Sequence, residues 1–87
     1  MADPLDPTLL AAVRAMVARA AAVPIEQVRP EGVLIGYGID SVRAVDLLDE
    51  ANEHFGVSLD ESDLQRFITV ADVARCIGSR LPAPGRA

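Results

Sequence analysis

Asp40-Ser41-Val42-Arg43-Ala44-Val45-Asp46-Leu47-Leu48-Asp49-Glu50-Ala51-Asn52-Glu53-His54-Phe55-Gly56 is the stretch that decides how this chain folds. Each residue of a helix turns the chain by about 100°. On that period Ala44, Leu47, Leu48, Ala51 and Phe55 share an arc of roughly 100°, the width of a core-facing stripe. The spacing predicts a helix from Ser41 to Phe55. Asp40 suits the N-cap, because its short carboxylate can accept from a free N–H of the first turn. Gly56 supplies the C-terminal stop. A second arc, nearly opposite, holds Val42, Val45, Asp46, Asp49 and Glu53. The core accounts for the first arc and leaves these valines unexplained, among carboxylates on an exposed face. A small apolar patch rimmed by one sign of charge is the composition of a transient docking site. The plain alternative is a solvated helix face with two stray valines.

Upstream, Asp6-Pro7 reads as a helix start, with an acidic cap and a proline in the first turn. Helix follows from Thr8 to Ala22, with Leu9, Leu10, Val13, Met16, Val17 and Ala20 on one face and Arg14 and Arg19 pointing elsewhere. Val23-Pro24 ends it. Residues 23–39 contain Pro24, Pro30, Gly32, Gly36 and Gly38, and no helical period survives them. Loops of this length are often functional. Ile25, Val28, Val33, Leu34, Ile35 and Tyr37 need burial, so the loop is expected to be ordered and packed over the bundle. Downstream, a short third helix fits Glu61 to Arg66, capped by Asp60 with Asp63 three residues on. Thr69 opens a fourth helix with Asp72 at the capping-box distance. Its stripe is Val70, Val73, Ala74, Ile77 and Leu81. The fold class is all-α: a four-helix bundle with a long first loop and a short third helix. Residues 1–81 form one domain, and the tail 82–87 has nothing to bury and is expected to be disordered.

Composition narrows the function. The 87 residues make one domain with a modest core and little room for an internal catalytic cavity. Only three aromatics occur, Tyr37, Phe55 and Phe67. The net charge of −5 argues against nucleic acid and anionic membranes, and favours a basic protein partner. The charge is also concentrated. From Asp40 to Asp63 there are eight acidic residues and one basic, Arg43, for a net −7, and the rest of the chain nets +2. A single cysteine, Cys76, and a single histidine, His54, exclude a Cys/His zinc site and an internal disulfide. Neither a membrane span nor a signal peptide is readable, so the expectation is a cytoplasmic protein. No pair of general base and nucleophile suggests an enzyme.

Ser41 lies between the two stripes, in the first turn of the second helix. Asp-Ser at a helix start is ordinarily a cap. Here the serine is also expected to be exposed, beside the docking face, and close to helix N–H groups that favour a phosphodiester. Cys76 falls off the stripe of its helix, and His54 reads as a boundary or surface residue. Tyr37 reads as loop packing. Asp60, Glu61 and Asp63 lack the ligand spacing and turn glycine of a calcium loop, so capping explains them better.

Tyr37-Gly38-Ile39-Asp40-Ser41-Val42 resembles the phosphopantetheine attachment motif of acyl carrier proteins, Gly-x-Asp-Ser followed by an aliphatic residue. The resemblance extends over nearly the whole chain. It takes in the long first loop, the Phe55-Gly56 that ends the second helix and the Thr69-Val70 that starts the fourth. It implies that Ser41 Oγ carries a 4'-phosphopantetheine arm, installed from coenzyme A by a phosphopantetheinyl transferase with Mg2+, and that Asp40 supports that reaction. It implies that Val42, Arg43, Val45, Asp46, Asp49 and Glu53 form a partner-recognition helix. The partners implied are an acyltransferase or acyl-activating ligase and a ketosynthase or other synthase enzymes. The protein would be a monomeric handle and address, with some shelter for its cargo between the helices. Arg43 departs from fatty-acid-synthase carriers and looks more like polyketide and related secondary-metabolite carriers. Leu34 to Arg43 also resembles aryl carrier domains of siderophore synthetases. Met1, and an end soon after the fourth helix, suggest a discrete protein. Three functions therefore stand open: a polyketide-type acyl carrier, an aryl or aminoacyl carrier of a peptide-synthetase pathway, and an acidic helical adaptor with no prosthetic group.

Overall fold

A computed structural model describes residues 6–81. Four α-helices occur among them, α1 (Pro7–Ala21), α2 (Ser41–Phe55), α3 (Glu61–Leu64) and α4 (Val70–Arg80), and no strand. The expected tail, 82–87, lies outside the described residues. Each helix starts on a side-chain cap. Asp6 accepts from the Leu9 N–H, Asp40 from Arg43, Asp60 from Ser62 and Thr69 from Asp72. Such caps are each worth about 1 kcal/mol. α3 and α4 add full capping boxes, closed by Asp63 and Asp72.

α1 packs against α4 and α2, and α3 packs against α2. Met16 and Val13 of α1, Leu47 of α2, Ile77 and Val73 of α4, and Val28 of the first loop are almost wholly buried at the centre. The expected α2 stripe is the core face, except that Phe55 is only half-buried. α1 ends one residue earlier than its pattern suggests. Ala22 takes a left-handed conformation, φ 58°, and the Val23 N–H turns back to the Ala18 carbonyl at 3.1 Å.

The first loop is ordered, but not in the way its apolar residues imply. Val28 and Leu34 are buried and Tyr37 half-buried, whereas Ile25, Val33 and Ile35 are exposed. Two short 3-10 turns, Ile25–Gln27 and Leu34–Tyr37, satisfy part of the backbone locally and leave those three side chains outward. Polar clasps hold the loop in place. Arg14, off the core face as expected, donates from Nε to the Val28 carbonyl at 2.7 Å and from Nη2 to the Ile25 carbonyl at 3.0 Å. The Val70 and Ala71 N–H groups, which α4 cannot pair within itself, donate to the Gly32 and Pro30 carbonyls at 3.0 and 2.8 Å. The Leu34 N–H returns a bond to the Ile68 carbonyl at 2.9 Å. Tyr37 packs over Gly32, and its hydroxyl accepts from the Arg29 N–H at 3.0 Å, so it serves the loop.

Two further expectations change. α3 is a single turn that stops at Leu64, not Arg66. Cys76 is buried rather than peripheral. Gln65, Arg66 and Ile68, at and after the end of α3, line one groove with Cys76, a position that the period of α4 leaves off its stripe.

Candidate functional site

Ser41 is the first residue of α2 and is exposed. Local geometry sets it there. Gly38 adopts φ 83°, a left-handed turn that ends the preceding 3-10 segment and costs glycine little. Ile39 then drops into the core and Asp40 caps the helix. The cap takes the Arg43 N–H on Asp40 Oδ1 at 3.0 Å, and the Ala44 N–H on its carbonyl at 2.8 Å. The Ser41 and Val42 N–H groups have no partner among the described residues. The Ser41 hydroxyl thus stands in water beside two unpaired donors at the positive end of a four-turn helix.

An apolar groove of about 300 Å³ opens beside it. Leu34 and Ile39 of the first loop, Ala44 of α2, and Leu64, Phe67 and Ile68 at and after α3 line it, with Ser41 and Asp40 at the rim. This groove was not readable from periodicity, because α3 is too short to carry a stripe. The exposed Ile35 (65%) and Ile68 (57%) flank it, although Ile35 was expected to be buried.

The second face of α2 is where its pattern puts it. Val42 is 73% and Val45 40% exposed, and Asp46, Asp49 and Glu53 are exposed on the same side. Arg43 is exposed too, and its Nη1 lies 3.5 Å from the Ala20 carbonyl at the C-terminal end of α1, where a cation suits the helix dipole. Arg19 pairs with Glu50 across the α1–α2 contact. His54 is exposed and meets Phe55 edge-on, with ring centroids 4.7 Å apart.

Residues 11–77 match the phosphopantetheine attachment site family. The chain belongs to the acyl carrier protein family. An acyl carrier protein of Thermotoga maritima is 34% identical over 70 residues, 79% of this chain and 86% of that protein. A non-reducing polyketide synthase of Emericella nidulans is 30% identical over 63 residues, 72% of this chain. The carrier spans only 2% of that synthase's length. Membership implies a covalent 4'-phosphopantetheine group. The residues present fit such a group. An unhindered hydroxyl, two free N–H donors and an adjacent apolar groove are what a phosphodiester and a thin tethered chain require.

The acidic cluster at α3 is structural. Asp63 is 3% exposed, and its Oδ2 accepts the Asp60 N–H at 2.9 Å. Arg80 Nη2 reaches both oxygens at 2.9 and 3.1 Å, while Nη1 donates to the Ser58 carbonyl at 2.9 Å. Sequence reading found the cap and missed the ion pair, since nothing in one dimension links residue 63 to residue 80. Among the described residues no helix is long and apolar enough to cross a membrane.

Proposed function

We propose that Ser41 is the attachment point, and that the protein is a carrier of acyl groups in polyketide or related secondary metabolism. The observation that carries the reading is the placement of the Ser41 hydroxyl: exposed, without a partner among the described residues, at the N-terminus of α2, between an acidic face and an apolar groove. The bound arm supplies a terminal thiol on which an acyl group rides as a reactive thioester. The chain's own residues do the rest. Asp40 holds the first turn of α2 so that Ser41 faces the transferase. The Ser41 and Val42 N–H groups favour the phosphodiester charge through the helix dipole. Val42 and Val45, ringed by Asp46, Asp49 and Glu53, give basic partner enzymes an apolar contact and a steering field. Those partners are the phosphopantetheinyl transferase, a loading acyltransferase or ligase, and a ketosynthase or other synthase enzyme.

Similarity to a polyketide synthase segment and the basic Arg43 support the polyketide assignment. An aryl or aminoacyl cargo is the second reading, supported by the stretch from Leu34 to Arg43. The test is intact mass after incubation with a phosphopantetheinyl transferase and coenzyme A. A gain of about 340 Da that vanishes in Ser41→Ala is expected. No gain under conditions where a control carrier is modified would leave the adaptor reading in its place. Loading of the modified protein by acyl- or aryl-activating enzymes then separates the two cargoes.

A further inference from the structure

We propose that the carrier has a second docking surface, a basic groove across α4 and the segment after α3 that receives an acidic stretch of a partner protein. The groove measures about 520 Å³ and lies outside the α2 face. Arg66 and Arg75 flank it, one carboxylate, Asp72, lines it with Gln65 and Ser79, and Ile68 gives it an exposed apolar edge.

The arginines carry the argument. Five of the seven arginines in the described region are committed to close partners. Arg14 holds the loop carbonyls, Arg19 Glu50, Arg29 Glu31, Arg43 the Ala20 carbonyl and Arg80 Asp63. The Arg66 guanidinium has no hydrogen-bond or ion-pair partner among the described residues, and only the backbone of that residue is bonded. Arg75 meets only Asp72, at 3.7 Å, beyond hydrogen-bond distance. The oxygen it faces is Asp72 Oδ1, while Oδ2 accepts the Thr69 N–H at 3.0 Å. One guanidinium without a partner and one held only by a loose ion pair therefore border one groove of an otherwise acidic protein, where arginines outnumber carboxylates two to one.

Charge complementarity fixes the kind of occupant. Two forked donors and a protruding isoleucine suit a peptide segment that alternates carboxylates with an apolar side chain. A basic partner drawn to α2 is repelled here, so the two surfaces address opposite charges. Ile68 belongs to both grooves, which places the second surface against the wall of the one beside Ser41.

The experiment uses the isotope-labelled full chain and two synthetic peptides, one repeating Glu-Glu-Leu and the other Lys-Lys-Leu, followed by amide chemical shifts. The acidic peptide should give saturable shifts at Arg66, Ile68, Arg75 and Ser79. The basic peptide should move α2 instead. Arg66→Gln/Arg75→Gln should weaken the acidic peptide roughly fivefold or more, as should added salt, while leaving the basic peptide's affinity no lower. Acidic-peptide shifts that never saturate, that fall on α2, or that survive unchanged in the double variant would overturn the proposal. So would concentration-dependent shifts at the same residues without peptide, which would assign the groove to a second copy of the chain. Mass gain at Ser41 is read separately, so failure here leaves the carrier assignment standing or falling on its own test.

Discussion

Replacing Arg80 by methionine keeps the length of the side chain and removes three hydrogen bonds, two to Asp63 and one to the Ser58 carbonyl. What remains is a carboxylate whose side chain is only 4% exposed, with the Asp60 N–H as its one partner. Breaking a buried ion pair from one side costs about 3–5 kcal/mol, because a charge stays behind unpaired. The Arg80 side chain is 40% exposed, so water can reach the vacated side and lower the cost. We therefore expect a loss of about 2 kcal/mol. For a chain of this size that is a drop of about 10 °C in Tm. Urea and thermal unfolding followed by helical circular dichroism measure both. Asp63→Asn/Arg80→Met should recover about half of the loss, since the amide oxygen can still cap Asp60 without a stranded charge. A single variant within about 0.5 kcal/mol of the parent would refute the buried-pair account. It would mean that the pair is solvated, and that α3 is held by its caps alone.

The pH dependence should show at Asp60. The Ser62 hydroxyl, ahead of the Ser62 and Asp63 N–H groups, holds its carboxyl below the ordinary 3.8, outweighing desolvation. A depressed carboxylate stabilises the fold above its unfolded value, and that contribution is lost as pH falls through the folded one. Urea midpoints of Asp60→Asn should accordingly fall less steeply than those of the parent on acidification below 3.8, and parallel curves would contradict this. Cys76 should resist alkylation in the folded, unmodified protein at neutral pH. Burial pushes its thiol above 9.0, Asp63 and Asp72 add to that, and Arg66 and Arg80 oppose it. Rapid labelling by iodoacetamide before denaturation would show that the groove floor opens.

The local signals were legible for a physical reason. A cap, a periodic stripe and a left-handed glycine act within a few residues of one another. That is why the limits of α2, the caps Asp40, Asp60 and Thr69, and the two opposed faces around Ser41 could be read from order alone. The match to the acyl carrier family drew on the same local pattern around Gly38, Asp40 and Ser41, and then on its continuation along the chain.

Where residues distant in sequence meet, the reading failed or was silent. Ile25, Val33 and Ile35 are as apolar as Val28 and Leu34, yet only the latter two face the core. The choice was made by the Arg14 clasp and by the bonds from α4 to Pro30 and Gly32, which span many residues. Cys76 lies off its helix's stripe but is buried in the core cluster all the same. Asp63 reads in sequence as part of a helix cap, and only the fold brings Arg80 of α4 to it. Periodicity describes one helix against one core, whereas burial in a bundle this small depends on what else crosses over each position. The order of residues placed the serine at the mouth of α2; only the packing of the loop and α3 around it made the groove at its side.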